Sequence, residues 1–251
     1  MAGTRTEYVF MARLSEQAER YEDMVEYMKR VTGMGSELSL DERNLLSVGY
    51  KNSVGARRSA WRAVHTMEQR EAGRGPDAVA LIADYRGKIE SELNRKCLDV
   101  LELLDGSLIP GASNDEAKVF YLKMKGDYYR YLAEFASSDK QPGIAQSARE
   151  AYEAASTLAE ASLPSTHPIR LGLALNFSVF YYEVLGDPSK ACSLAKTSFD
   201  NAIANTDMPE DQHKDSSAIL QLLRDNLTLW TDQQAGDGKP PEQDGTNVEE
   251  L

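Results

Sequence analysis

Apolar residues recur at steps of three and four along nearly the whole chain. No segment shows the strict apolar–polar alternation of a half-buried strand, so the pattern predicts an all-helical protein. Start and stop signals divide it into about nine helices, beginning near residues 5, 20, 39, 77, 114, 141, 167, 188 and 209. Ser39-x-x-Glu42 and Ser113-x-x-Glu116 have the capping-box pattern, which satisfies free N–H groups at a helix start. Asp187-Pro188 and Thr166-His-Pro168 place a capping residue before a proline suited to the first helical position. Gly33 and Gly73 follow helical runs and suit C-terminal caps. The linking segments are mostly short, which favours antiparallel neighbours. No repeat of fixed period emerges.

The pattern stops at Ala235. From there to residue 251 the chain is rich in Gly, Pro, Asp and Glu. Five acids against Lys239 give this stretch a side-chain charge of -4. It reads as a disordered acidic tail behind a helical domain spanning residues 1–234.

Composition narrows the function. The 251 residues are 41% hydrophobic and 27% charged, enough to bury a sizeable core. A net charge of -12 disfavours nucleic acid and acidic membranes as partners. Such a protein binds an anion only by concentrating cations at one place. Cys97 and Cys192 are too few for a disulfide framework, which points to a reducing cytoplasm. The most apolar stretch, Leu171 to Tyr182, is about half the length of a membrane span. The glycosylation patterns at Asn176 and Asn226 read as chance.

Catalytic signatures are lacking. His65, His167 and His213 fall on separate helices, outside any metal-ligand spacing, so neither a metal nor a cofactor is expected. No glycine-rich phosphate loop or paired nucleophile and base is present.

Two helices carry the same cationic spacing. Lys51 and Arg58 lie seven residues apart on the third helix, and Lys123 and Arg130 repeat this on the fifth. Seven residues are close to two turns, so each pair shares a face with a rise of roughly 10 Å between members. Each pair sits among aromatics: Tyr50 and Trp61 on one helix, and Tyr121, Tyr128, Tyr129 and Tyr131 on the other. Converging faces would surround a dianion with cations and a tyrosine hydroxyl, and the planar arginine fork suits phosphate. The plain alternative is a solvated face, which such spacing marks more often. Asn176, Val179 and Glu183, with Leu175, and Leu222, Asn226 and Leu229, with Trp230, form mixed faces on two later helices. Their apolar members suit a core. Their asparagines, donor and acceptor at once, suit the backbone of an extended peptide.

The runs Arg43-Asn-Leu-Leu-Ser-Val-Gly-Tyr-Lys51-Asn52, Gly55-Ala-Arg-Arg58-Ser-Ala-Trp61, Tyr121 to Glu134, His167 to Glu183 and Leu222 to Trp230 carry a resemblance to the 14-3-3 family, from about residue 5 to 232. The resemblance implies nine antiparallel helices in a cup-shaped protomer, with an amphipathic groove built from helices 3, 5, 7 and 9. It implies dimerisation within about residues 5–105. Lys51, Arg58, Arg130 and Tyr131 match the phosphate-binding positions, and Asn176 and Asn226 those that bond the client backbone. Lys123, Leu175, Val179, Glu183, Leu222, Leu229 and Trp230 match the rest of the groove. Leu14, Arg20, Asp23, Tyr85, Lys88 and Glu92 match the dimer interface. The function implied is a non-catalytic adaptor for phosphoserine or phosphothreonine segments of client proteins. The implied location is the cytoplasm, with the nucleus as a second compartment. The chain departs from the pattern at Ala60, Asp187, Gly87 and the linker from Gly73 to Ala80. Ala60 stands where many members carry a serine whose phosphorylation loosens the dimer, and Gly87 replaces a usual charged residue in the fourth helix.

Overall fold

The computed structural model describes residues 3–71, 73, 75–205 and 213–235. Among them are nine α-helices and no strand: α1 (Arg5–Gln17), α2 (Tyr21–Thr32), α3 (Leu40–Glu71), α4 (Pro76–Leu103), α5 (Asp115–Phe135), α6 (Gln141–Ser162), α7 (Pro168–Glu183), α8 (Pro188–Ala204) and α9 (His213–Ala235). A π-helical turn, Leu104–Leu108, ends α4. The expected ninth start near residue 209 lies outside the described residues, as does the acidic segment from residue 236.

The helix starts follow local chemistry. Ser39 and Glu42 form the expected box: the Ser39 N–H donates to Glu42 at 2.8 Å and the Glu42 N–H to Ser39 Oγ at 3.2 Å. Thr4 and Glu7 form a second box at α1 that the sequence reading missed. The box expected at Ser113 is replaced by Asn114, whose side chain accepts from the Ala117 N–H at 2.8 Å. Both residues suit an N-cap, and the competition is settled one position later than expected. His167 caps α7, its Nδ1 accepting from the Ile169 N–H at 3.2 Å, and Asp187 caps α8. Gly87 sits inside α4, where an added Cβ would meet no atom within 4 Å.

The chain forms two compact units, Met1–Ala112 and Ser113–Leu251. In the first, α1 packs on α2, α2 on α3 and α3 on α4. Met24, Val25, Met28, Val31, Leu46, Val54, Leu93 and Val100 are among its fully buried apolar residues. Gly49 admits the close approach of α2: a Cβ there would lie 3.2 Å from Val25 and 3.3 Å from Met24.

The second unit is built around α7, which packs against α5, α6, α8 and α9. Every residue from Leu171 to Phe180 is buried, and so the central helix needs no polar face. One side of it joins Val119, Ala148, Tyr152 and Ala155 through Leu173, Phe177 and Phe180. The other joins Ala191, Ala195, Leu223 and Trp230 through Leu171, Leu175 and Val179.

Candidate functional site

In the second unit, α5 presents Lys123, Asp127, Arg130 and Tyr131 within two turns. Lys123 donates to Asp127 Oδ2 at 2.9 Å, and Arg130 Nη2 lies 4.0 Å from Asp127 Oδ1. The Arg130 side chain is completely buried, and those of Asp127 and Lys123 are only 8% and 15% exposed. The Arg130 guanidinium lies 4.7 Å from the centre of the Tyr131 ring, a cation–π contact in a dry setting. Tyr131 in turn meets Tyr128 edge-on at 5.4 Å.

Neighbouring helices complete this cluster. Tyr152, on α6, donates its hydroxyl to Asp127 Oδ1 at 2.6 Å and accepts from Arg130 Nε at 3.2 Å. Asn176, on α7, donates through Nδ2 to the same Asp127 oxygen at 2.9 Å. Burial, followed by the negative charge of Asp127, pushes the Tyr152 phenol well above its ordinary pKa, so it stays protonated. Lys123, Arg130 and Asp127 therefore meet largely away from water, where charges are costly unless they are paired and hydrogen-bonded.

In the first unit, Lys51 and Arg58 sit two turns apart on α3. Lys51 is exposed and makes no ion pair among the described residues, while Arg58 is buried. Arg57 donates to Glu22 at 2.7 Å and to Glu92 at 3.0 Å. Trp61 donates its indole N–H to Glu90 at 2.9 Å and stacks on His65. No group of His, Cys, Asp and Glu among the described residues is placed to hold a metal ion.

A 14-3-3 protein family model matches residues 11–231. The chain is 59% identical over 234 residues to a 14-3-3 protein homolog of Candida albicans, covering 92% of this chain and 89% of that protein. It is 60% identical over 232 residues to the 14-3-3-like protein GF14 psi of Arabidopsis thaliana, covering 91% of each. It is 58% identical over 238 residues to the 14-3-3-like protein A of Vicia faba, covering 93% of this chain and 91% of that one. The chain belongs to the 14-3-3 family.

Like other 14-3-3 proteins it is a phosphopeptide-binding adaptor and not an enzyme, and membership implies phosphorylated clients and dimerisation. No helix among the described residues is long and apolar enough to cross a membrane.

The remaining residues expected in a 14-3-3 groove fall into two groups. Glu183 is exposed at the end of α7, and Leu222 and Leu229 are half-buried on α9. Leu175, Val179 and Trp230 are fully buried in the core of the second unit. Asn176 and Asn226 are buried on α7 and α9. Trp230 stacks on Tyr182 at 4.9 Å, and its indole N–H has no hydrogen-bond acceptor among the described residues.

Of the expected dimer residues, Leu14 is 47% and Tyr85 57% exposed, beside Phe10 and Leu81, which the sequence reading did not single out. Lys88 is exposed on α4. Arg20 donates to Asp23 at 2.5 Å within the same first turn of α2, and Glu92 is engaged by Arg57.

Asp127, Tyr152 and Gly126 were also missed. One signal was available for Asp127: an acid four residues after Lys123 and three before Arg130 shares their face.

Proposed function

We propose that a client phosphoserine or phosphothreonine is held by Lys51, Arg58, Arg130 and Tyr131. The observation that carries this reading is the fully buried Arg130 guanidinium, stacked on Tyr131 beside Lys123. Phosphate supplies oxygen acceptors for the arginine forks, and Tyr131 adds a hydroxyl. Asn176 and Asn226 bond the client backbone. Lys123, Glu183, Leu222 and Leu229 flank the client, and Leu175, Val179 and Trp230 form the apolar base beneath it.

The working unit is a dimer with a second copy or a related chain, formed through α1 to α4 with Leu14, Arg20, Asp23, Tyr85, Lys88 and Glu92 at the seam. The exposed Leu14 and Tyr85 support this, because apolar surface contributes more to such a seam than exposed ion pairs. Two sites on one dimer raise the effective concentration for a doubly phosphorylated client. The helical domain spans residues 1–234, with the acidic tail behind it. The charge of -12 supports protein clients over nucleic acid or membrane. The proposed location is the cytoplasm, with the nucleus as a second compartment. No cofactor takes part.

Reversing one charge and removing another tests the reading. Lys51→Glu and Arg58→Ala should each weaken binding of a phosphoserine peptide by at least about a hundredfold, equivalent to roughly 2.7 kcal/mol, with an unchanged helical circular dichroism spectrum. Retained affinity in both variants would remove the phosphate role from α3.

A further inference from the structure

We infer that Asp127 and Tyr152 are a positioning pair that aims Arg130, Lys123 and Asn176 at the client. The inference rests on the phosphate site proposed above and concerns how its second-unit half is held.

A carboxylate only accepts hydrogen bonds, and Asp127 accepts from three groups. Lys123 takes Oδ2, while Tyr152 and Asn176 share Oδ1. Because the acceptor is a carboxylate, the end of the Asn176 amide facing it must be the NH2 group. That contact sets the amide orientation in a residue expected to read client backbone. Asp127 thus touches three residues on three helices, two of which belong to the proposed site.

Arg130 is held differently. Its Nη2 is 4.0 Å from Asp127, beyond hydrogen-bond reach, whereas the Tyr152 hydroxyl lies between them. The phenol donates at 2.6 Å to the carboxylate and accepts at 3.2 Å from Nε. The guanidinium is therefore gripped through Nε rather than closed onto Asp127 as a bidentate pair. A closed pair would engage the arginine fork that the proposed site needs for phosphate.

The phenol cannot easily move. Tyr152 is fully buried and stacks on Phe177 at 5.1 Å. Its ring rests on the backbone of α5 at Gly126, where an added Cβ would lie 2.6 Å from Cδ1. The glycine brings the hydroxyl within reach of both partners. Since the phenol stays protonated, it donates to Asp127 throughout the physiological pH range.

Two simpler roles make different predictions. If Asp127 were only a nearby charge, it would repel phosphate, and Asp127→Asn would tighten binding. If Tyr152 were only a core residue, Tyr152→Phe would lower thermal stability and leave affinity alone.

The test uses the full chain, with peptide titrations at a temperature where circular dichroism shows every variant folded. A phosphoserine peptide and its unphosphorylated form are compared on wild type, Tyr152→Phe and Asp127→Asn. Tyr152→Phe should weaken phosphopeptide binding about tenfold, the size of one hydrogen bond to a charged group. Asp127→Asn should weaken it at least as much, despite removing a repulsive charge. In the ligand-free protein, hydrogen exchange at the Arg130 Nε–H should accelerate in Tyr152→Phe. Wild-type affinity in Tyr152→Phe, tighter binding by Asp127→Asn, or unchanged Nε–H exchange would each overturn the positioning role. A wild-type chain that fails to distinguish the two peptides would instead strike the phosphate site itself, and the inference with it.

Discussion

Each unit contains a buried tyrosine that donates to an aspartate. In the first, Tyr50 donates to Asp99 at 2.7 Å, and Lys29 pairs with the other carboxylate oxygen at 2.5 Å. In the second, Tyr152 donates to Asp127, which also meets Lys123 and faces Arg130. The surroundings differ. Lys29 and Asp99 remain 33% and 31% exposed. Around Asp127, Lys123 is only 15% exposed and the Arg130 side chain has no exposed surface at all.

Water makes the difference. A half-exposed, matched pair contributes modestly to holding α2, α3 and α4 together. Charges in a dry cluster lose their hydration, so a buried ion-pair cluster is a weak device for stability alone. In the proposed site its cations have a second role, holding the client phosphate. On that proposal, the same residue pair serves cohesion in one unit and recognition in the other.

The comparison can be broken most sharply at Gly126. Gly126→Ala would drive a methyl group into the Tyr152 ring, which is packed in the core and has little room to retreat. Stability should fall by about 1–3 kcal/mol in urea denaturation. Phosphopeptide affinity should fall with it, even at temperatures where the variant is fully folded. Undiminished affinity would uncouple the packing of Tyr152 from recognition.

Tyr50→Phe makes the opposite cut. It removes one bond to a charged group and should cost about 1–2 kcal/mol of stability. Phosphopeptide affinity should change less than about twofold, within the noise of one weak contact. A large loss of affinity would mean that both tyrosine–aspartate pairs serve recognition.

Acid provides the smallest test. Burial alone would raise the pKa of Glu22, but Lys96, Ser53 and Arg57 together pull it down from 4.5 to about 2. A carboxylate with a lowered folded-state pKa stabilises the fold above its unfolded pKa. That contribution is lost as pH falls from about 5 toward 2. Glu22 is 46% exposed, so solvent screening reduces the effect to about 1 kcal/mol. Glu22→Gln should therefore be less stable than wild type at pH 7, and the gap should narrow on acidification to pH 3. A gap independent of pH would assign the loss to packing instead of charge.

Much of this architecture was legible in the sequence. The 3.6-residue pattern gave the helices, and prolines and capping residues placed most starts within a residue or two. The one-residue slip at Ser113 shows why boundaries move: adjacent Ser and Asn both cap well, and only the geometry of the turn selects Asn114. The cations were visible by spacing, and the family resemblance gave them roles. The link between Asp127 and Tyr152 was not visible. The two residues are 25 apart on different helices, and the glycine that permits their contact looks like any helical defect until α6 is packed against it. The depth of Leu175, Val179 and Trp230 was equally hidden, since an apolar stripe reads the same on a groove wall and in a core.

The central claim is that client capture depends on phosphate. Isothermal calorimetry with one peptide, phosphorylated and unphosphorylated at a single serine, tests it directly. Loss of the phosphate should weaken binding by more than about a hundredfold, because the charge-assisted hydrogen bonds disappear together. Equal affinity for the two peptides would contradict the account.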